Sequence, residues 1–442
     1  MKVHFIGIGG IGLSALARFL QYRGYEVSGS DIKDTPITKE LKKEGILVNI
    51  PQSANSINNQ DLVIYSAAVL NDNIEIIEAK KQELLLLPRK EALSVIMQKT
   101  TNYCICAAHG KSTTTAILSS ILQSSAIIGA ISKEFDSNFR YINDILAFEA
   151  DESDESFILS HPYCSIVLNT EPEHMEYYNY DEKRFYDAYK KFLDIAKLRV
   201  INAEDNYLKN YEGYAIRLYP SKDIKNIEFI LKDDEPFTRF SLKDYGFFEV
   251  WGFGVHIAID ASCAILAALQ TMDIDKIKQN LLNYKGIKKR FDIVQKSKNL
   301  IVIDDYAHHP TEIIATMESV KLYKSHKQIL HTTVIWQPHK YSRTMDNLEY
   351  FKRCFKGCDE LIILPVWTVA EQIKDIDFEK EFAHYNTYFC DKIITTKGKV
   401  ELIKEEKVAV GNSNLRTKVI KTITSGLVLG VGAGDITYQL RY

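Results

Sequence analysis

The sequence predicts an α/β protein of three domains built on parallel sheets, and three observations carry that reading. At 442 residues the chain is longer than a single hydrophobic core usually grows, so it divides into two or three domains. Its 46% hydrophobic and 26% charged residues are those of a globular chain well supplied with core material. Three times, a β-branched strand runs into a glycine-rich or polar turn and then a helical stretch, the alternation that builds parallel sheets. The expected domains are residues 1–98, 99–292 and 293–442.

The same counts exclude several classes. A formal net charge of -3 lacks the basic surplus of a nucleic-acid binder. No run of 18 apolar residues offers a membrane span. The N-terminal apolar stretch is interrupted by glycines and lacks a small-residue cleavage site, so it reads as a strand and turn rather than a leader. Seven cysteines, odd in number and without paired CxxC spacing, read as buried thiols in a reducing cytoplasm.

The first domain opens with KVHFIGIGGIG and continues through EVSGSD and DLVIYSAAV. Gly7, Gly9 and Gly12 form G-x-G-x-x-G directly after a strand and before the helical LSALARFL, and Asp31 ends the next strand. Glycines there allow a tight turn and close backbone approach, so a helix N-terminus can face a diphosphate. The pattern suits the diphosphate of NAD, with Asp31 on a ribose, or that of a nucleotide sugar; a merely structural turn is the third reading.

The second domain opens with TNYCICAAHGKSTTTAILSSIL. After the strand YCICAA, the segment His109, Gly110, Lys111, Ser112 and Thr113 supplies backbone N–H groups and an ammonium to phosphates and a hydroxyl to Mg²⁺. The full phosphate-loop pattern is incomplete, because Ile105 stands where its first glycine belongs. Acidic and imidazole groups gather at the next strand ends: Glu149, Asp151, Glu152 and Asp154, then Glu171, Glu173 and His174. Carboxylates beside a phosphate loop repel one another unless cations share the site, which points to bound Mg²⁺; a solvated acidic loop is the plain alternative. The polar, poorly periodic stretch from Tyr207 to Glu249 reads as a surface excursion.

The third domain follows Lys288, Lys289 and Arg290, a positive fork able to reach a γ-phosphate, or else a solvated linker. Its strands NLIVIDDYAHHP, TTVIWQPHKYSR, ELIILPVW and LVLGVGAGDI again end in polar loops.

Taken in order, these motifs resemble the Mur ligases over nearly the whole chain: GIGGIGLSALA, SGSD, LPRKEAL, HGKSTTT, EADESDESF, NTEPEHMEYY, KKRFD, DDYAHHPTE, QPHKYSRT, LPVW and GAGDI. The resemblance implies a Rossmann-like N-terminal domain, a central ATPase-like domain and a C-terminal Rossmann-like domain. It implies ATP and Mg²⁺ as cofactors, and an amide formed through an acyl phosphate between the carboxylate of UDP-N-acetylmuramic acid and L-alanine. It places Gly7, Gly9, Gly10, Ile11, Gly12, Asp31 and Ser66 on the UDP-sugar. ATP falls to His109, Gly110, Lys111, Ser112, Thr113, Asp260, Arg290 and Asp305, with Lys111, Glu152, His174 and Arg290 as the catalytic set. Mg²⁺ falls to Ser112, Glu152 and His174, and the amino-acid pocket to Tyr306, His308 and Arg343. A monomer or weak homodimer in the cytoplasm is expected. A sister ligase that attaches a recycled tripeptide, an inactive nucleotide-sugar binder and a dehydrogenase are the rival readings.

Two departures from the family pattern stand out. Ala107 and Ala108 replace Gly-Thr before His109, so strain is expected wherever the turn needs positive φ. His-Asn-x-x-Asn becomes His256, Ile257, Ala258, Ile259 and Asp260; an ionised Asp260 is expected to accept from the amino group of adenine and to repel guanine.

Overall fold

The run KVHFI forms the strand Lys2–Ile6, whose Val3, Phe5 and Ile6 are fully buried. It lies at the centre of a five-stranded parallel sheet, in spatial order Leu47–Asn49, Glu26–Ser30, Lys2–Ile6, Leu62–Tyr65 and Leu85–Pro88. The order reverses at the first strand, which opens a crevice at its carboxyl end where such folds seat ligands. The helix Ile11–Tyr22 starts there and buries Leu13, Leu16, Phe19 and Leu20. The computed structural model describes residues 1–368, 371–407 and 415–441.

The central sheet has seven strands, in order Ile216–Leu218, Leu198–Asn202, Pro162–Val167, Thr101–Cys106, Ile145–Glu149, Ser125–Ser132 and Ser137–Arg140. All pair in parallel except the last, an antiparallel edge. The helices Lys111–Leu122 and Val255–Ala268 are rich in Ala, Ser and Thr or Cys, small side chains that let the two pack closely. Both sheets feed one core, in which Phe19 and Leu20 join Phe139, Leu146 and Phe148. A buried polar joint fastens them further. Asn138 donates to the Ile11 carbonyl at 2.6 Å and the Ser14 hydroxyl at 3.0 Å, and accepts from Arg18 at 2.6 Å. These two domains form one compact unit, Met1–Glu228, Arg239–Trp251 and Val255–Gly286.

The stretch read as a surface excursion forms strands. Ile216–Leu218 extends the central sheet, while Ile224–Lys232, Glu235–Leu242 and Phe247–Trp251 make a three-stranded sheet. In Glu235–Leu242 the inward positions are Pro236, Thr238, Phe240 and Leu242. Proline and threonine at two of those four positions disguise the apolar alternation that marks a half-buried strand.

The second unit comprises Phe229–Thr238, Gly252–Gly254 and Ile287–Tyr442. Its six-stranded sheet runs Asp292–Lys296, Leu300–Asp305, Gly426–Val431, Thr332–Trp336, Glu360–Ile363 and Thr387–Phe389, parallel except for the first pair. The helix Pro310–Lys327 covers it through Ile313, Met317, Val320 and Tyr323. Lys392–Thr396, Lys399–Lys407 and Leu415–Ile423 add an antiparallel sheet. The architecture is therefore three α/β domains, as expected. Cys104, Cys106, Cys164, Cys263, Cys354 and Cys390 are buried thiols, and Cys358 is half-buried. Among the described residues no helix is long and apolar enough to cross a membrane.

Candidate active site

The first glycine turn is held by the strand beside it. Gly7 takes φ +81°, and its N–H and that of Ile8 donate to the Ser30 carbonyl at 2.9 and 3.0 Å. Asp31 accepts from the Gly9 N–H at 2.9 Å and from Ile32 N–H at 2.8 Å. A Cβ on Gly9 would meet the Asp31 carboxylate at 2.7 Å, so only glycine allows this approach. Gly10 caps the helix Ile11–Tyr22, and the Ile11 carbonyl is tied to Asn138. Ser66 backs Gly7, with its Cβ 3.2 Å from where a Gly7 side chain would begin. The fold thus gathers every residue expected at the first loop. It also brings in Arg89, whose Nε lies 3.4 Å from the Cβ position of Gly12 and whose guanidinium stands 3.8 Å from Asp151.

The second loop joins Thr101–Cys106 to the helix Lys111–Leu122. Gly110 takes φ +88° at the N-cap. The strain expected at Ala107 and Ala108 does not arise, because the positive φ in this turn falls on Gly110 and on neither alanine. His109 and Asn169 bond reciprocally, backbone to amide, at 3.0 and 2.9 Å. The His109 ring lies 3.3 Å from Glu171. Lys111 donates to the carbonyls of Ala107 and Ala108 and to Glu152, the last at 2.9 Å. Burial pushes the Glu152 carboxyl up to about 7, against the pull of Lys111. Burial disfavours the Lys111 ammonium, yet Glu152 and its neighbours more than restore it and raise its pKa. Thr113 sits two residues on, beside Tyr284.

The metal-site residues divide in two. Glu152, Glu173 and His174 bring ligand atoms within 4.8 Å of one another. Ser112 turns instead to Glu149, donating to it at 3.0 Å, while the Gly129 N–H holds the other oxygen of Glu149 at 2.6 Å. Burial raises the Glu149 carboxyl above its ordinary range. Oxygen-rich donor sets of this kind suit a hard divalent cation.

Asp260 is buried behind the second loop. A Cβ on Gly110 would meet its two oxygens at 2.7 and 3.0 Å. Burial drives its carboxyl well above the ordinary range, with Thr114 and His109 opposing. Burial thus works against the ionised form of Asp260 expected from the sequence.

In the second unit, Asp305 accepts from the backbone N–H of Phe291 at 2.7 Å and of Ala307 at 2.8 Å. Burial lifts its carboxyl to about 6, against the attraction of Arg290. Arg290 lies over the Tyr306 ring at 5.6 Å and 3.4 Å from Glu312. His308 packs edge-on to Tyr306 at 5.3 Å. Arg343 bonds the Nδ1 of His339 at 3.0 Å. One side of a single sheet therefore collects Arg290, Asp305, Tyr306, His308 and Arg343 around strand ends. Sequence reasoning missed Arg89 and Asn169 as site residues. Arg89 stood in the motif LPRKEAL and Asn169 opens the motif NTEPEHMEYY, while Glu149 and Glu173 stood in the acidic clusters already read as pointing to Mg²⁺.

Two glycine turns at helix N-termini, one with a buried lysine and a carboxylate–imidazole cluster beside it, define an enzyme of the α/β class that acts on phosphorylated nucleotides. Residues 2–101 match the Mur ligase family, catalytic domain, and residues 289–411 the Mur ligase, glutamate ligase domain. A UDP-N-acetylmuramate–L-alanine ligase of Campylobacter curvus is 51% identical over 441 residues, covering 100% of this chain and 99% of that one. Its namesake from Helicobacter pylori is 54% identical over 447 residues, covering 100% and 96%. The solved UDP-N-acetylmuramate–alanine ligase of Thermotoga maritima superposes with a TM-score of 0.80 at 26% identity, covering 100% and 97%. The chain belongs to the Mur ligase family. It is an ATP-using enzyme, and the dehydrogenase reading is set aside.

Proposed function

We propose that this enzyme joins L-alanine to the carboxylate of UDP-N-acetylmuramic acid, with ATP as the driving nucleotide, in the synthesis of peptidoglycan precursors. The observation that carries the reading is the pairing, within one compact unit, of the Asp31-braced glycine turn with the Lys111 loop and its acidic cluster. Two nucleotides can thus be held at once. Full-length identity to relatives named for this activity supports the choice of substrates.

In this reading the backbone N–H groups at Gly7–Gly12 and the Arg89 guanidinium receive the UDP diphosphate, with Ser66 and Asp31 shaping the turn. Lys111 and the N–H groups of Gly110, Ser112 and Thr113 receive ATP phosphates. Arg290 meets the γ-phosphate and Asp305 the ribose, with Asp260 behind the loop; Tyr306, His308 and Arg343 form the amino-acid pocket. Mg²⁺ fits Glu152, Glu173 and His174, or Ser112 with Glu149, and when bound it neutralises phosphate charge. The muramyl carboxylate attacks the γ-phosphorus and ADP leaves; the amine then attacks the acyl carbon and phosphate leaves. No protein nucleophile is needed, so the side chains position anions, balance their charge and exclude water. Domain limits of 1–98, 99–292 and 293–442, a cytoplasmic location and a monomer or weak homodimer accompany this proposal.

The test is product analysis with ATP, Mg²⁺ and UDP-N-acetylmuramate, with and without each amino acid or a tripeptide. ADP, phosphate and an amide that form with L-alanine are expected. AMP and pyrophosphate would refute the acyl phosphate, and a preference for the tripeptide would favour the sister ligase.

A further inference from the structure

We propose that Glu312 is a positioning residue for proton removal from the amino-acid amine, with His308 the group that takes the proton; this rests on the ligase reading above. Glu312 stands in the first turn of the helix Pro310–Lys327, with its side chain 12% exposed. Its Oε2 accepts the backbone N–H of His308 at 3.0 Å and of His309 at 3.3 Å, and lies 3.2 Å from His308 Nδ1. Its Oε1 lies 3.4 Å from Arg290. One carboxylate thus ties together an arginine assigned to phosphate and a histidine assigned to the amino acid. Burial works against its charge, but His308 and Arg290 hold it well below the usual carboxylate range.

The orientation of His308 follows from this. Its Nδ1 also lies 3.1 Å from the Tyr306 carbonyl. A ring nitrogen facing two acceptors carries the proton, so the neutral tautomer keeps its lone pair on Nε2. The other groups facing the ring are Tyr306, with Arg290 over it, and His339, whose ring is 6.1 Å away with Arg343 bound to it. Burial, then Arg343, pushes His339 down to about 4, so it stays neutral and does not rival His308 as a base near neutral pH.

The step balances. Alanine enters as an ammonium and gives one proton to His308 Nε2. The freed lone pair attacks the acyl carbon, the bond from that carbon to the phosphate oxygen breaks with its electron pair, and the second amine proton goes to the departing phosphate. Glu312 stabilises the imidazolium that forms, in the manner of any acid that orients a catalytic histidine.

A helix cap alone would also explain the two backbone contacts of Glu312, and glutamine serves equally well at that position. Glu312→Gln therefore separates the two roles. At saturating ATP and UDP-N-acetylmuramate, amide formation by this variant should fall at least about tenfold near pH 7, with KM for UDP-N-acetylmuramate within about twofold of the parent. The deficit should shrink toward about pH 9.5, where alanine carries its own free amine. His308→Asn should show the same recovery while still forming acyl phosphate, trapped as the hydroxamate. Parent-like rates in Glu312→Gln, or an equal loss at every pH, would overturn the proposal. Absence of any alanine-dependent amide from the parent enzyme would instead refute the ligase reading.

Discussion

Replacing Gly110 with alanine tests the second loop most directly. Gly110 sits at φ +88° and ψ -6°, a region that costs an L-residue roughly 1–2 kcal/mol. The new methyl would also meet Asp260 oxygens at 2.7 and 3.0 Å and Leu168 at 3.0 Å. These neighbours are buried, and overpacking of this kind costs roughly 1–3 kcal/mol. Gly110→Ala should therefore lose about 2–5 kcal/mol of stability in urea unfolding, the sum of those two terms. Because the loop must shift to relieve the clash, ATP affinity measured by calorimetric titration should fall at least about tenfold, or ~1.4 kcal/mol. The two terms can be separated with Asp260→Ala as the partner in a double-mutant cycle. Removing the carboxyl relieves the Asp260 part of the steric term and leaves the Leu168 contact and the backbone term. The double variant should recover part of the steric term, at most about 3 kcal/mol, relative to Gly110→Ala. No recovery would show that Asp260 does not press on Gly110, and normal ATP binding by Gly110→Ala would show that this turn does not hold the nucleotide.

Three further outcomes are expected. Lys111→Ala should abolish phosphate release yet leave UDP-N-acetylmuramate affinity within about twofold, since the first loop uses none of its contacts; parallel loss of both in titrations would break the assignment of two loops to two nucleotides. Asp305 has a carboxyl lifted to about 6 by burial, so the folded chain retains a proton that the unfolded chain releases at lower pH. Stability contributed by this group is therefore full below about pH 4 and is lost as pH rises toward 6; acidifying from about pH 7 to 5 should stabilise the second unit by about 1 kcal/mol in urea titrations, a gain missing from Asp305→Asn. Chelation of divalent cations should stop phosphate release, with Mg²⁺ restoring it; unchanged turnover in excess chelator would remove the metal from the proposal.

Much of this was legible in the sequence because strand ends announce themselves. KVHFIGIGGIG and YCICAAHGKS each place an apolar run before a glycine that the fold sets at positive φ, and local chemistry decides such turns. Asp31 was legible for a similar reason, since its carboxylate answers a backbone N–H at the end of the adjacent strand. The partition of acids between Ser112 and Lys111 was not. Glu149 and Glu152 are three residues apart, and which one meets the serine depends on where the strand stops and on the Gly129 N–H contributed by another strand. Asp260 likewise reads from the sequence as an acid facing adenine, and only the fold shows the helix Val255–Ala268 burying its carboxyl against Gly110. The sheet at Ile224–Trp251 escaped notice because Pro236 and Thr238 occupy inward positions.

The chain path between the two units has a practical corollary for dissecting the enzyme. Phe253 is 2% exposed and belongs to the core of the second unit, where it packs on Tyr323 and Phe229. In the chain, however, it lies between stretches of the first unit. A recombinant fragment beginning at Ile287 would leave out this ring and the strand residues Phe229 and Leu231 that flank the same cluster. Losing a buried phenylalanine costs roughly 3–5 kcal/mol, a large fraction of what holds a domain of this size together. Expression of the C-terminal third by itself should thus yield an aggregating or loosely packed product, and grafting an amino-acid pocket from a relative requires exchanging residues 229–238 and 252–254 along with it.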